Sequence, residues 1–144
     1  MILYYKLNNL LSENTSEDSW YDDGFIYAQK LLSRFTENDW KKLFKYIDFK
    51  NTNYKIKLAY SICEDVGMNG FNLLLKFLNS NNIELIITSI DSLRSFNTEI
   101  YIHQLSSQKQ IYNNINKIIT NSDLPTKLIL KDFLKNVILE NKNN

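Results

Sequence analysis

The sequence predicts an all-α fold, a right-handed stack of about four antiparallel helix pairs. One reason is the scarcity of chain breakers: three Gly and one Pro in 144 residues, of which 44% are hydrophobic. A sheet protein needs many turns, whereas long helices joined by short corners do not. A second reason is apolar spacing of three and four residues along most of the chain. The third is an internal repeat. Trp40, Leu43, Phe44, Tyr46 and Ile47 return 31 positions later, without a gap, as Phe71, Leu74, Leu75, Phe77 and Leu78. Tyr54, Ile56, Ala59 and Ile62 return at the same shift as Leu85, Ile87, Ile90 and Leu93. One helix–corner–helix unit is written twice. A unit that small buries too little by itself, so neighbouring units must stack.

Each element follows from local chemistry. Residues 1–12 form a first helix with Leu3, Leu7, Leu10 and Leu11 on one face. The acidic corner Glu13–Asp18 supplies caps, Thr15 with Asp18 or Ser16 before the acids, for a second helix over about 17–33. Phe25, Ala28, Leu31 and Leu32 make its apolar side, and Gly24 weakens it by roughly 1 kcal/mol relative to Ala. Thr36-Glu37-Asn38-Asp39 is a capping box with Asp in place of Glu. It opens a third helix carrying Trp40, Leu43, Phe44 and Ile47. The corner Phe49–Asn53 leads to a fourth, with Tyr54, Leu58, Ala59 and Ile62 inward. Gly67 suits a left-handed C-terminal cap. A fifth helix runs from about Met68 to Asn79, and Asn81 with Glu84 starts a sixth reaching about Phe96.

Residues 97–106 are the least regular. Ile100 and Ile102 alternate as in a strand, but so short a run makes no sheet by itself, and a short helical turn or linker is expected. Ser106 or Ser107 caps the next helix, with Ile111, Ile115, Ile118 and Ile119 inward. Asp123-Leu124-Pro125 opens the last, with Pro in the first turn where its missing N–H costs little. Its buried side is Leu128, Leu130, Phe133, Leu134, Val137 and Ile138. The first pair joins the repeat with Tyr4, Leu7 and Leu11 on Trp40, Leu43 and Ile47, and with Ala28 and Leu31 on Ala59 and Ile62. The extra residues of its first half fall in the acidic corner. The chain reads as one domain with approximate repeats 1–35, 36–66, 67–97 and 106–140.

Net charge is +1 and the pI about 7.7, which leaves no global electrostatic footprint for nucleic acid. Charge is uneven, however: residues 1–40 carry −4 and the remainder +5. The single cysteine, Cys63, forms no disulfide within the chain, so an oxidising compartment is not required. The N-terminus lacks a signal-peptide pattern, and no apolar run approaches the roughly 18 residues of a membrane span. A cytoplasmic protein without membrane association is expected.

Candidate chemistry is sparse. Cys63 reads as a buried, inert thiol and His103 as a surface histidine. No His, Cys or carboxylate cluster has metal spacing, so neither a metal nor a cofactor nor an enzymatic activity is expected. The adjacent pairs Asp22-Asp23 and Glu64-Asp65 diverge by about 100° on a helix and make no acid–base couple. Tyr54-Lys55-Ile56-Lys57 mixes aromatic and base as single-strand binders do, but Tyr54 and Leu58 form the helix stripe with the lysines solvated beside it. The stretch Glu17-Asp18-Ser19-Trp20-Tyr21-Asp22-Asp23 stands out, with four acids and two large aromatics in seven residues. It reads either as an acidic first turn with Trp20 packed on its neighbour, or as a protein-binding patch with aromatic anchors and steering acids.

The unit Trp40-x-x-Leu43-Phe44-x-Tyr46-Ile47 followed by Tyr54-x-x-x-Leu58-Ala59-x-x-Ile62, with its echo, resembles HEAT-like helical repeats. A small chain of this kind is similar to the HEAT-like immunity proteins of bacterial contact-dependent growth inhibition and related toxin systems. That resemblance implies an α-solenoid that binds a cognate toxin domain, a nuclease being one class, and blocks its active site. It implies a protein partner and no nucleic acid. The contact residues it suggests are Glu17, Asp18, Trp20, Tyr21, Asp22 and Asp23, then Glu64, Asp65 and Asp91. The alternative is a HEAT-like adaptor that binds a protein or peptide on its concave face.

Overall fold

The computed structural model describes residues 2–13 and 19–143, with side chains through Val137. Nine α-helices and no strand occur among the described residues. These are α1 (Ile2–Ser12), α2 (Phe25–Ser33), α3 (Glu37–Tyr46), α4 (Thr52–Ser61), α5 (Met68–Phe77), α6 (Ile83–Leu93), α7 (Glu99–Ser106), α8 (Lys109–Ile119) and α9 (Leu124–Asn143). A π-helical turn, Trp20–Gly24, runs directly into α2, and 3-10 turns follow α3 (Ile47–Phe49) and precede α5 (Glu64–Val66). The expected caps Thr15, Ser16 and Asp18 lie outside the described residues.

The corners are built by side-chain capping. The box at α3 is complete: Thr36 Oγ1 accepts from the Asp39 amide at 3.3 Å, and Asp39 Oδ2 accepts from the Thr36 amide at 2.9 Å. Asn51 Oδ1 accepts from the Tyr54 amide and Asn82 Oδ1 from the Leu85 amide, each at 2.9 Å. Those two caps stand at the repeat spacing of 31, so the unit repeats its corner as well as its core. Asp123 does the same for α9, accepting from the Thr126 amide at 2.9 Å. Each such bond satisfies an amide that the helix leaves without a partner.

Several boundaries differ from the sequence reading. The cap of α6 is Asn82 rather than Asn81, because only from Asn82 does the carboxamide reach the third amide of the helix. Gly67 has positive φ, +90° with ψ −167°, but it caps the start of α5 instead of closing α4, which ends at Ser61. Of the helical turn or linker expected over 97–106, the helix forms: α7 covers Glu99–Ser106, with Leu105 buried and Tyr101 half-buried one turn apart. Ser106 and Ser107 therefore end a helix rather than start one. Their hydroxyls donate back to the carbonyls of His103 and Gln104, each at 2.8 Å, and α8 begins without a side-chain cap. Leu128 is 60% exposed, because the stripe of α9 is Leu130, Phe133 and Val137 and Leu128 lies on the opposite side.

The aligned positions of the repeat are core positions. Tyr4, Trp40 and Phe71 are buried, as are Leu7, Leu43 and Leu74, and Leu11, Ile47 and Leu78. On the second helices Ala28, Ala59 and Ile90 match, as do Leu31, Ile62 and Leu93. Tyr46 departs from its echo Phe77: it is 40% exposed against 4%. In packing, α2 lies against α4, α4 against α6, and α6 against α9. Helix α1 packs on α2, α3 and α4, α5 packs on α6, and both α7 and α8 pack on α9. Phe71, Phe96 and Tyr101 form a ring triangle with centroids 4.8 to 5.4 Å apart, which ties α7 to α5.

Candidate functional site

The acidic aromatic stretch starts at the π-helical turn. That wider turn rotates Trp20 inward, where it is only 2% exposed. Its indole needs the space left by Gly24: a Cβ there would sit 2.6 Å from Trp20 Cε3. The Lys57 ammonium lies over the indole at 5.4 Å and donates to the Glu13 carbonyl at 3.1 Å. Trp20 is thus a packing residue and no surface anchor, since a buried indole has no face left for a partner. Its Nε1 is buried and has no hydrogen-bond partner among the described residues.

The next residues point outward. Tyr21 is 41% exposed, and Asp22 and Asp23 are exposed. Tyr21 meets Tyr60 of α4 edge-on at 4.8 Å, and Phe25 meets the same ring edge-on at 5.1 Å. Helix α2 also packs on the turn Glu64–Val66, where Glu64 is half-buried and Asp65 exposed. Asp91 lies on α6 and is held by Arg94 at 2.7 Å, which also bonds Asp132 of α9 at 2.9 Å. Its charge is committed to the α6–α9 seam. Glu17 and Asp18 lie outside the described residues.

Beside this turn opens a cavity of about 710 Å³. Its walls come from the end of α1, the π turn and the corner before α4: Ser12, Glu13, Trp20, Tyr21, Phe49, Lys50, Asn51, Asn53, Tyr54 and Lys57, with Glu84 of α6. Phe49 stands at its rim, 85% exposed. Tyr54 is buried, donates its hydroxyl to Asn8 Oδ1 at 3.0 Å, and lies under the Lys50 ammonium at 5.1 Å. Burial raises its phenol pKa. Tyr54 is therefore core, as its place on the stripe implies. Two smaller cavities, about 510 and 360 Å³, continue along the corners and share Asn79, Ser80 and Asn81.

Away from this edge, Asp39 is wholly buried and accepts from the Tyr4 amide at 3.1 Å, joining α1 to α3. Burial raises its pKa, but the hydrogen bonds it accepts, among them those from Thr36 and Tyr4, outweigh that and bring it to about 2. Cys63 is half-buried rather than buried, and His103 is exposed. Among the described residues no group of three His, Cys, Asp or Glu side chains could hold a metal ion, and no helix is long and apolar enough to cross a membrane.

Sequence reasoning missed Tyr60 and Phe49. Both carry a signal: the 31-residue shift places Tyr60 on Asp91 and Phe49 on Ser80, aromatics where the repeat carries polar residues. In the echo Asp91 is exposed and Ser80 half-buried, and Tyr60 and Phe49 are exposed here. No protein-family model, curated protein or solved structure matches the chain.

Proposed function

We propose that this protein is a non-catalytic binding module of the immunity class, which neutralises a bacterial toxin domain by covering its active site. The observation that carries the reading is the rigid display of Tyr21, Asp22 and Asp23. Their neighbour Trp20 is locked into the core, so the exposed residues are held with little freedom to lose on binding. An aromatic anchor beside acids suits a basic substrate cleft, such as that of a nuclease. The packing order α2, α4, α6, α9 is what a HEAT-like stack with second helices sharing one face would have. That shared face also favours the second reading, an adaptor that binds a protein or peptide along it.

The test is capture of the protein encoded next to this chain, followed by growth protection when the two are co-expressed. Replacing Asp22 and Asp23 together by Lys should slow association about tenfold or more, since reversed rim charges act on the encounter. Protection that survives the double reversal unchanged refutes the assignment of this turn as the contact.

A further inference from the structure

We propose that the solvent face where α1 meets α3, at Tyr5, Lys42, Lys45 and Tyr46, is a site for a phosphate group. The inference goes beyond the proposed function and uses none of the residues of the Tyr21–Asp23 turn. Helix α1 packs on α3, and phenol rings line the contact. The Tyr4 ring is buried, 5.4 Å edge-on from Tyr5 and 6.4 Å from Tyr46. Tyr5 and Tyr46 are 51% and 40% exposed. Two cations sit on these rings. The Lys42 ammonium lies 4.6 Å from the Tyr5 centroid and donates to its hydroxyl oxygen at 2.7 Å, and Lys45 lies over Tyr46 at 5.3 Å.

This face is rich in donors. An ammonium only donates, so the Tyr5 oxygen accepts from Lys42, which leaves the phenol proton to donate outward and Lys42 with further N–H groups to give. The bond to Tyr5 raises the Lys42 pKa against the loss from burial, and the Tyr5, Tyr46 and Tyr4 phenols raise it further. The cation therefore persists at neutral pH, with all three phenols inside its field. Among the described residues neither Lys42 nor Lys45 pairs with a carboxylate. The acids of these two helices are Glu37, in the first turn of α3, and Asp39, which is buried and accepts from Thr36 and Tyr4. Lys6 and Lys41 are exposed on the same helices and add positive charge. The next repeat closes the corresponding face. There Leu73 and Phe77 are buried where Lys42 and Tyr46 stand here, and Lys76, the echo of Lys45, pairs with Asp48 at 3.2 Å.

A phosphate carries close to two negative charges and at least three acceptor oxygens out of plane with one another. Two ammonium groups match that charge, and hydroxyl and N–H donors from separate side chains match the oxygens. A carboxylate brings one charge and two oxygens in a plane, which the same set leaves partly unmatched. Lys42 ties α3 to Tyr5 of α1, so the donors are held in place before a ligand arrives.

The test titrates the whole chain with inorganic phosphate at neutral pH and constant ionic strength, with malonate as a dianionic carboxylate control, while the Tyr5 and Tyr46 ring signals are followed by NMR. Phosphate should shift both rings saturably and bind about fivefold more tightly than malonate. Lys42→Gln should weaken phosphate about tenfold, as loss of a charged hydrogen-bond donor does, with helical content unchanged. Lys76→Gln should bind as the wild type does. A single-stranded thymidine oligonucleotide forms a second arm: saturation of the same rings at lower concentration than phosphate assigns the seat to a nucleic-acid backbone, and weaker binding assigns it to a small phosphate ester. No saturable shift with phosphate, equal affinity for malonate, or equal losses in Lys42→Gln and Lys76→Gln overturns the inference.

Discussion

Replacing Asp39 by Asn probes how the first two helix pairs are joined. Asn keeps the shape of the side chain and removes its charge. In the wild type the carboxylate accepts from the Thr36 amide, the Thr36 hydroxyl and the Tyr4 amide, at 2.9, 2.9 and 3.1 Å. A carboxyl held at about 2 against an ordinary 3.8 contributes on the order of 2 kcal/mol at neutral pH. A folded-state pKa below the unfolded value means stability that is present above the unfolded pKa and is lost as pH falls through the folded one. The window is therefore about pH 4 to 2, and roughly half of the contribution remains at pH 3. Asp39→Asn should cost about 2 kcal/mol at pH 7, a fall in Tm of roughly 4–8 °C, and about half as much at pH 3. Urea unfolding of both proteins at the two pH values measures it. An equal gap at pH 7 and pH 3, or a loss at pH 7 below about 0.5 kcal/mol, would refute the reasoning, because hydrogen bonds to a charge must weaken when the charge is removed.

Two further substitutions test the packing. Gly24→Ala should destabilise by about 1–3 kcal/mol in a thermal melt, against the gain that helix propensity predicts, since the new methyl would sit 2.6 Å from Trp20 Cε3 and force the buried indole from its place. Near-UV circular dichroism should show Trp20 disturbed, and a stabilised variant with an unchanged spectrum would contradict the account. Phe71→Ala should cost about 3–5 kcal/mol, because the ring is fully buried between Phe96 and Tyr101. Amide exchange should then rise first across α7, and uniform exchange along the chain would count against that coupling.

Local signals were legible wherever a single element decides the outcome. The box Thr36–Asp39, the Asn51 corner, the Asp123 start and the apolar stripes are properties of residues three and four apart, and the structure has them. The repeat was legible for the same reason. What local rules left open was decided between elements. Trp20 lies inside because the turn widens and Gly24 gives it room, a pairing four residues apart that capping rules do not register. The stretch around Ile100 is helical because Tyr101 meets Phe71 and Phe96, and its own alternation points elsewhere. The sequence marks Asp39 as a cap only, and its bond to Tyr4 comes with the placement of α1.

The same division holds for the candidate site. Acids and aromatics crowding into residues 17–23, and helices alternating with corners at a spacing of 31, are written in the sequence. Periodicity and capping are local, so a sequence expresses them directly. Which aromatics face outward depends on packing, which turns Trp20 inward and sets Tyr60 beside Tyr21. A side chain's exposure depends on the neighbour that covers it, and that neighbour stands on a different helix, distant along the chain.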